Sequence, residues 1–133
     1  MKVRKRLTTK RPTSVLSKSP IQGYETSFQH EMDTGDFFAW DWRCDDDTQQ
    51  PVGNLLIYSG ESTVWLNREL EIEIRWSVCG LQSALLIDGY THAVFDFAAR
   101  CGYCRTGQPK WWGQRQAEWH TYDWDDTICA SFF

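Results

Sequence analysis

Cys101-Gly102-Tyr103-Cys104 is the spacing in this sequence with the most obvious chemistry. Two cysteines separated by two residues can form half a zinc site or a redox pair. A structural zinc site needs four ligands, commonly two such pairs, and no second pair exists here. Cys44, Cys79, Cys129, His92 and His120 stand singly. A thioredoxin-type pair needs its first cysteine at a helix N-terminus after a strand, whereas this pair is followed by Arg105-Thr106-Gly107. Cys101 and Cys104 therefore read as ordinary thiols, and as weak metal candidates only.

His92 and Asp96 have the residue types of an acid–base couple. Four strand residues would separate them by about 13 Å along one face, beyond hydrogen-bond reach. His120, Tyr122, Asp123 and Asp125 bring polar groups together without a nucleophile–base spacing; a wet, capped helix start accounts for them. Asp45-Asp46-Asp47 has the charge for Ca²⁺ or Mg²⁺ but lacks the alternating ligands, glycine and terminal glutamate of a calcium loop. No serine sits in a nucleophile elbow, and no glycine-rich loop leads into Lys-Ser/Thr. The sequence holds no coherent catalytic set, and no cofactor is expected.

The eight tryptophans are the unusual feature. Trp40, Trp42 and Trp76 alternate as core residues would. Trp65, Trp111, Trp112 and Trp119 fall in or near expected loops. Tryptophan and tyrosine are enriched at binding hot spots, so Trp111 and Trp112 read as partner contacts; cover for an open sheet edge is the competing explanation.

With 133 residues, 41% of them apolar and 24% charged, the chain is one domain of ordinary globular balance. Its charge is uneven. Lys2, Arg4, Lys5, Arg6, Lys10, Arg11 and Lys18 give residues 1–20 a charge of +7, while the other 113 residues sum to −11. Residues 1–20 show neither helical nor strand periodicity. They read as a mobile basic leader, with a strand around Val15-Leu16 as the alternative, ahead of a single acidic domain over 21–133. That boundary implies that residues 1–18 are dispensable for folding. No segment approaches the ~20 apolar residues of a membrane helix. The basic start has no apolar stretch after it, so it is not read as a secretory signal. Five cysteines cannot all pair within the chain, which suits reduced thiols and a cytoplasmic location.

The elements that must position these groups are short. Tyr24–Gln29, Phe37–Arg43 and Gly53–Ser59 read as strands between turns at 33–36, 44–51 and 60–62. Phe38, Trp40 and Trp42 share one face of the second. Glu69–Trp76 is the clearest strand, with Leu70, Ile72, Ile74 and Trp76 alternating with Glu69, Glu71, Glu73 and Arg75. Leu81–Ile87 and Tyr90–Phe97 form a hairpin across Asp88-Gly89, a pair suited to a type I′ turn. That register sets Ile87 opposite Tyr90 and Leu85 opposite His92. It places Ala84, Leu86, Ala93, Phe95 and Phe97 on the other face. Cys101–Gly107 reads as a turn and short strand, 108–113 as a loop, and Trp119–Phe133 as one helix with Trp124, Ile128 and Phe132 on one side.

Arg75-Trp76-Ser77, Gly80-Leu81, Ala84 to Tyr90, His92 to Phe97 and Gly102-Tyr103-Cys104-Arg105-Thr106-Gly107 together resemble the core pattern of a small bacterial family known only as domain of unknown function 2251. Asp33 to Ala39 and Trp124-Asp125-Asp126 add weaker matches, so the resemblance spans roughly residues 31–126. It implies a small bacterial cytosolic protein with no activity to carry over. The basic leader and Cys101 depart from the pattern.

The fold expected is α+β: an antiparallel twisted sheet of about six or seven strands with a C-terminal helix packed on one side, or alternatively an all-β barrel or sandwich. The function expected is a non-enzymatic acidic binding protein. Its concrete form is an immunity protein that occludes a basic toxin through Asp45, Asp46, Asp47, Trp111 and Trp112. Two other classes compete: a nucleic-acid-associated regulator using residues 1–20, and a small metal or redox protein using Cys101 and Cys104.

Overall fold

The computed structural model describes residues 2–21, 23–43, 51–59, 69–106 and 119–133, and residues 109–112 through their backbone pairing. The strands are β1 (Lys2–Thr8), β2 (Thr13–Lys18), β3 (Tyr24–Glu31), β4 (Thr34–Asp41), β5 (Gly53–Tyr58), β6 (Glu69–Trp76), β7 (Gln82–Ile87), β8 (Tyr90–Asp96), β9 (Cys101–Cys104), β10 (Pro109–Trp112) and β11 (His120–Asp123), followed by one helix, α1 (Asp126–Ser131). They form two sheets rather than one. The first runs β1-β6-β7-β8-β9-β11 and the second β10-β5-β4-β3-β2. Neither order closes on itself, so the fold is mostly β with a short helix and no closed barrel.

The sheets bury a common core. Leu7, Leu70, Ile72, Ile74, Leu85, Ile87 and Phe95 from the first meet Val15, Phe28, Phe37, Leu55 and Ile57 from the second. The Phe37 and Phe95 rings lie 5.0 Å apart across the interface. Thr26 and Ser83 share a 2.6 Å hydroxyl hydrogen bond there, which satisfies two polar groups that are otherwise sealed from water. Leu70, Ile72, Ile74 and Trp76 are all buried, as the alternation of β6 requires.

The basic leader is not a mobile extension. It supplies β1 and β2, and the boundary expected at residue 20 falls inside the packed structure. β1 pairs with β6 in unbroken antiparallel register from Lys2↔Arg75 to Thr8↔Glu69. β2 pairs with β3 from Thr13↔His30 to Lys18↔Glu25. Two forces order the segment. Leu7 and Val15 enter the core. On the outward side, the basic groups of β1 face the acids of β6: Arg4 Nε donates to Glu73 Oε1 at 2.7 Å, and Arg6 lies 3.6 Å from Glu69. Burial pushes the Glu73 carboxyl up, but hydrogen bonds and charge from Arg4 and Arg75 outweigh it and hold the group below its ordinary range. Two of the seven basic groups of the segment, Arg4 and Arg6, are thus paired with acids of β6.

The Asp88-Gly89 turn forms as expected, with φ of 52° and 81°. Asp88 Oδ1 also accepts from the Glu71 amide at 2.9 Å, tying the turn to β6. The faces differ from expectation because a register shift follows Leu86: Leu86 pairs with Thr91, but Leu85 pairs with Ala93, not His92. His92 is the extra residue. An inserted residue reverses the alternation beyond it. Ala93, Phe95 and Phe97 therefore join Leu85 and Ile87 in the inter-sheet core, while Ala84, Leu86 and Val94 face α1.

Further corrections concern residues 109–133. Residues 109–112 form edge strand β10 against β5 rather than a loop. The segment from Trp119 is not one helix: β11 first pairs in parallel with β9, and Asp125 then caps the short α1 by accepting from the Ile128 amide at 3.0 Å. α1 packs on the outer face of the first sheet through Cys129, with Trp124 and Phe132 alongside, while Ile128 is exposed.

Candidate binding surface

In β4 two alternating sets compete for the core. Phe37 and Ala39 are fully buried between the sheets, so the two-residue period sends Phe38 and Trp40 to the opposite, outward face. Trp42, just beyond the strand, follows them. This reverses the expected core role of Trp40 and Trp42; Trp76 alone of the three is deeply buried.

On that outer face the Trp40 and Trp42 rings stack at 5.0 Å with 9° between their planes. Trp40 Nε1 donates to Ser27 Oγ at 3.0 Å, which fixes the inner indole. Trp42 remains 47% exposed, and Leu16 is 57% exposed one strand beyond Ser27. The register row Leu16–Ser27–Phe38–Asn54 therefore presents apolar groups between small polar ones.

A cleft of about 790 Å³ opens where this face meets the β2–β3 connection. Trp42, Glu25 and Lys18 line it together with Arg43, Tyr24, Gly23 and Ser19. Arg43 is fixed there. Its Nε and Nη2 reach the two Asp41 carboxylate oxygens at 3.0 and 3.1 Å, and its guanidinium lies 4.3 Å over the Tyr24 ring. Gly23 permits this: its φ is 104°, and a Cβ would meet the Arg43 side chain at 2.2 Å.

The residues singled out from the sequence are not gathered at one place. Asp45, Asp46 and Asp47 lie outside the described residues. Trp111 and Trp112 occupy β10 at register positions opposite Asn54 and Gly53, and their surroundings also lie outside the described residues. Cys101 and Cys104 are three residues apart on one strand, so they face opposite ways. Cys101 is buried among the residues that meet α1, where burial pushes its thiol up. Cys104 faces the inter-sheet core, its Sγ 3.1 Å from Thr106 Oγ1. The two cannot share one metal ion, and no group of three or more ligand-type side chains gathers among the described residues. Cys129, beside Cys101 in the same cluster, is pushed up to about 11 by burial.

The remaining polar candidates have structural duties. The Asp96 carboxylate accepts from Gln82 Nε2 at 3.1 Å and from the Ala98 amide at 3.0 Å, holding the turn after β8. His120 is exposed on β11, and Asp125 is a helix cap. His92 is held down to about 4 by burial first and by the charge of Arg105 second, against an opposing pull from Asp88. A histidine held low in the fold favours the neutral form. Its contribution is complete above the ordinary value of 6.5 and is lost as the pH falls toward 4. The His92 ring resonances should therefore titrate near 4 by NMR. His92→Asn should flatten the slope of stability against pH between about 6.5 and 4; a midpoint near 6.5 would contradict the burial described.

Leu16, Glu25 and Trp42 escaped the sequence reading as site residues. The only available signal was the competing alternation in Phe37–Trp42.

Comparison with known proteins finds a match over residues 7–133 to a family described as "Uncharacterized protein conserved in bacteria (DUF2251)". A Haemophilus influenzae protein described as "Uncharacterized protein" is 36% identical over 101 residues, which cover 74% of this chain and 61% of that relative. The chain thus spans less than two thirds of the relative's length. No solved structure matches.

Proposed function

The chain belongs to this uncharacterized bacterial family, and from that premise, which brings no activity with it, we propose a non-enzymatic protein-binding role centred on the outer face of the β2–β5 sheet. The observation that carries the reading is the exposure of Trp42, stacked on Trp40, on the same face as exposed Leu16. Large apolar groups placed outward cost solvation in the free protein and gain it back on docking. Tryptophan gives large contact area for few frozen rotors.

The partner is a basic protein, since the chain carries a formal net charge of −4. Occlusion of a basic toxin by an immunity protein is the specific form of this proposal. The reading that residues 1–20 anchor nucleic acid draws no support from β1, where Arg4 and Arg6 already face Glu73 and Glu69. Among the described residues no helix is long and apolar enough to cross a membrane.

The test is affinity purification of the full chain, followed by binding measurements on the purified partner with wild type and a Leu16→Lys/Trp42→Ser variant. The variant should melt as the wild type does and bind at least about 30-fold more weakly, the loss of a hot spot worth ~2 kcal/mol. Unchanged affinity in a folded variant would move the interface elsewhere. Turnover of a small molecule with no protein partner would overturn the binding role.

A further inference from the structure

Arginine is seated in the same way at two places in this fold. Arg43 lies 4.3 Å over Tyr24 and pairs with Asp41. Arg105 lies 4.3 Å from the rings of both Tyr90 and Trp124 and is 3.5 Å from Asp126. Each seat joins an aromatic face to a carboxylate. A guanidinium suits both at once, because it is planar, weakly hydrated and able to donate two parallel hydrogen bonds.

The cleft holds a third combination of these parts. Trp42 offers a half-exposed indole, stiffened from behind by Trp40. Glu25 lines the same cleft and stands directly opposite Trp40 in the β3–β4 register. Glu25 is only 7% exposed, yet its carboxylate makes no hydrogen bond or ion pair among the described residues. Lys18, its register partner on β2, forms no ion pair with it. Arg43, which also lines the cleft, is engaged by Asp41 and Tyr24. The side chain is mostly covered, but its carboxylate oxygens are not sealed from water, and Glu25 lines the cleft, where a bound cation would pair with it.

We propose that the Trp42–Glu25 cleft is a socket for an arginine side chain of the protein partner. This rests on the docking role of the β2–β5 face and names what enters it. The guanidinium lies against the Trp42 indole and donates to the Glu25 carboxylate. A neutral side chain of the same shape gains the stacking but not the ion pair.

The probe is N-acetyl-arginine amide, with N-acetyl-citrulline amide as its neutral counterpart, titrated into the full chain while the Trp42 indole resonances are followed by NMR. The arginine probe should shift them saturably, with a dissociation constant of about 1–10 mM for a single side chain. Glu25→Gln should weaken it at least about tenfold, and the citrulline probe should leave the resonances nearly unmoved. Melting curves establish that the variant is folded; Trp42→Leu, which keeps the apolar bulk and is followed through the neighbouring Trp40 indole resonances, is the second variant and should lose the same binding. Equal shifts from both probes, indifference to Glu25→Gln, or no saturation at about ten times the expected constant would each overturn the socket. Failure here with capture of the partner still dependent on Leu16 and Trp42 would discard the socket and keep the docking face. Loss of that dependence would discard the face itself.

Discussion

A chain lacking residues 1–18 should fail to fold. The deletion removes an edge strand from each sheet and uncovers Leu70, Ile72 and Phe28, all fully buried. Leu7 and Val15 alone represent about 1.5–3 kcal/mol each of buried apolar side chain. The loss of both strand pairings adds unsatisfied backbone groups along β6 and β3. Against a domain stability of about 5–15 kcal/mol, that sum is decisive. The expected readout is loss of the cooperative thermal transition in circular dichroism, with poor solubility. A truncated chain that melts within a few degrees of the full one would show that β1 and β2 are not integral. Leu7→Asp offers a milder form of the test and should lower the melting temperature sharply while leaving the chain length unchanged.

Phe95→Ala should be the most damaging single truncation. The ring is fully buried one residue before the end of β8. It lies 5.0 Å from Phe37 of the opposing sheet and 6.3 Å, edge to face, from Trp119. The backbone is close behind it, for a Cβ on Gly102 would stand 3.3 Å from the ring. Neighbours held by two sheets cannot collapse into the space, so the loss should be about 3–5 kcal/mol in urea unfolding. Phe95→Leu keeps most of the volume and should cost about half as much. A loss below about 1 kcal/mol for the alanine variant would mean that the sheets do not pack through this residue.

What could be read from the sequence was whatever one strand declares by itself. β6 was legible because Leu70, Ile72, Ile74 and Trp76 alternate without interruption. The turn at Asp88-Gly89 was legible because few residue pairs adopt positive φ twice in succession. β1 was not, because its order depends on a partner far along the chain. Arg4 and Glu73 are 69 residues apart, and no local pattern announces their meeting. The faces of β8 were misassigned by one residue, since nothing in Thr91-His92-Ala93 signals a bulge. β1, β2, β10 and β11 raise the number of strands above the six or seven expected, and each is short, highly charged or set at a sheet edge.

The candidate surface was half legible. Surplus tryptophan suggested binding, but Phe37-Phe38-Ala39-Trp40 can bury either alternate set, and only the opposing sheet decides that Phe37 and Ala39 go inward. Glu25 carried no signal, because an isolated glutamate in an expected strand is ordinarily a solvated one. Its burial follows from neighbours on β2 and β4.

The β1–β6 pairing also fixes an order of events during synthesis. β1 is made well before its sheet neighbour β6, which begins at Glu69. The strand must therefore wait while the β2–β5 sheet, whose central neighbours follow one another in sequence, assembles from nearby hairpins. A strand left waiting is an aggregation hazard when it is apolar. Lys2-Val3-Arg4-Lys5-Arg6 is instead dense in like charge, which keeps the nascent segment hydrated and repels its copies on neighbouring ribosomes. The charge that later meets the acids of β6 thus first serves as protection, and a strand made before its partner is among the last to find its place.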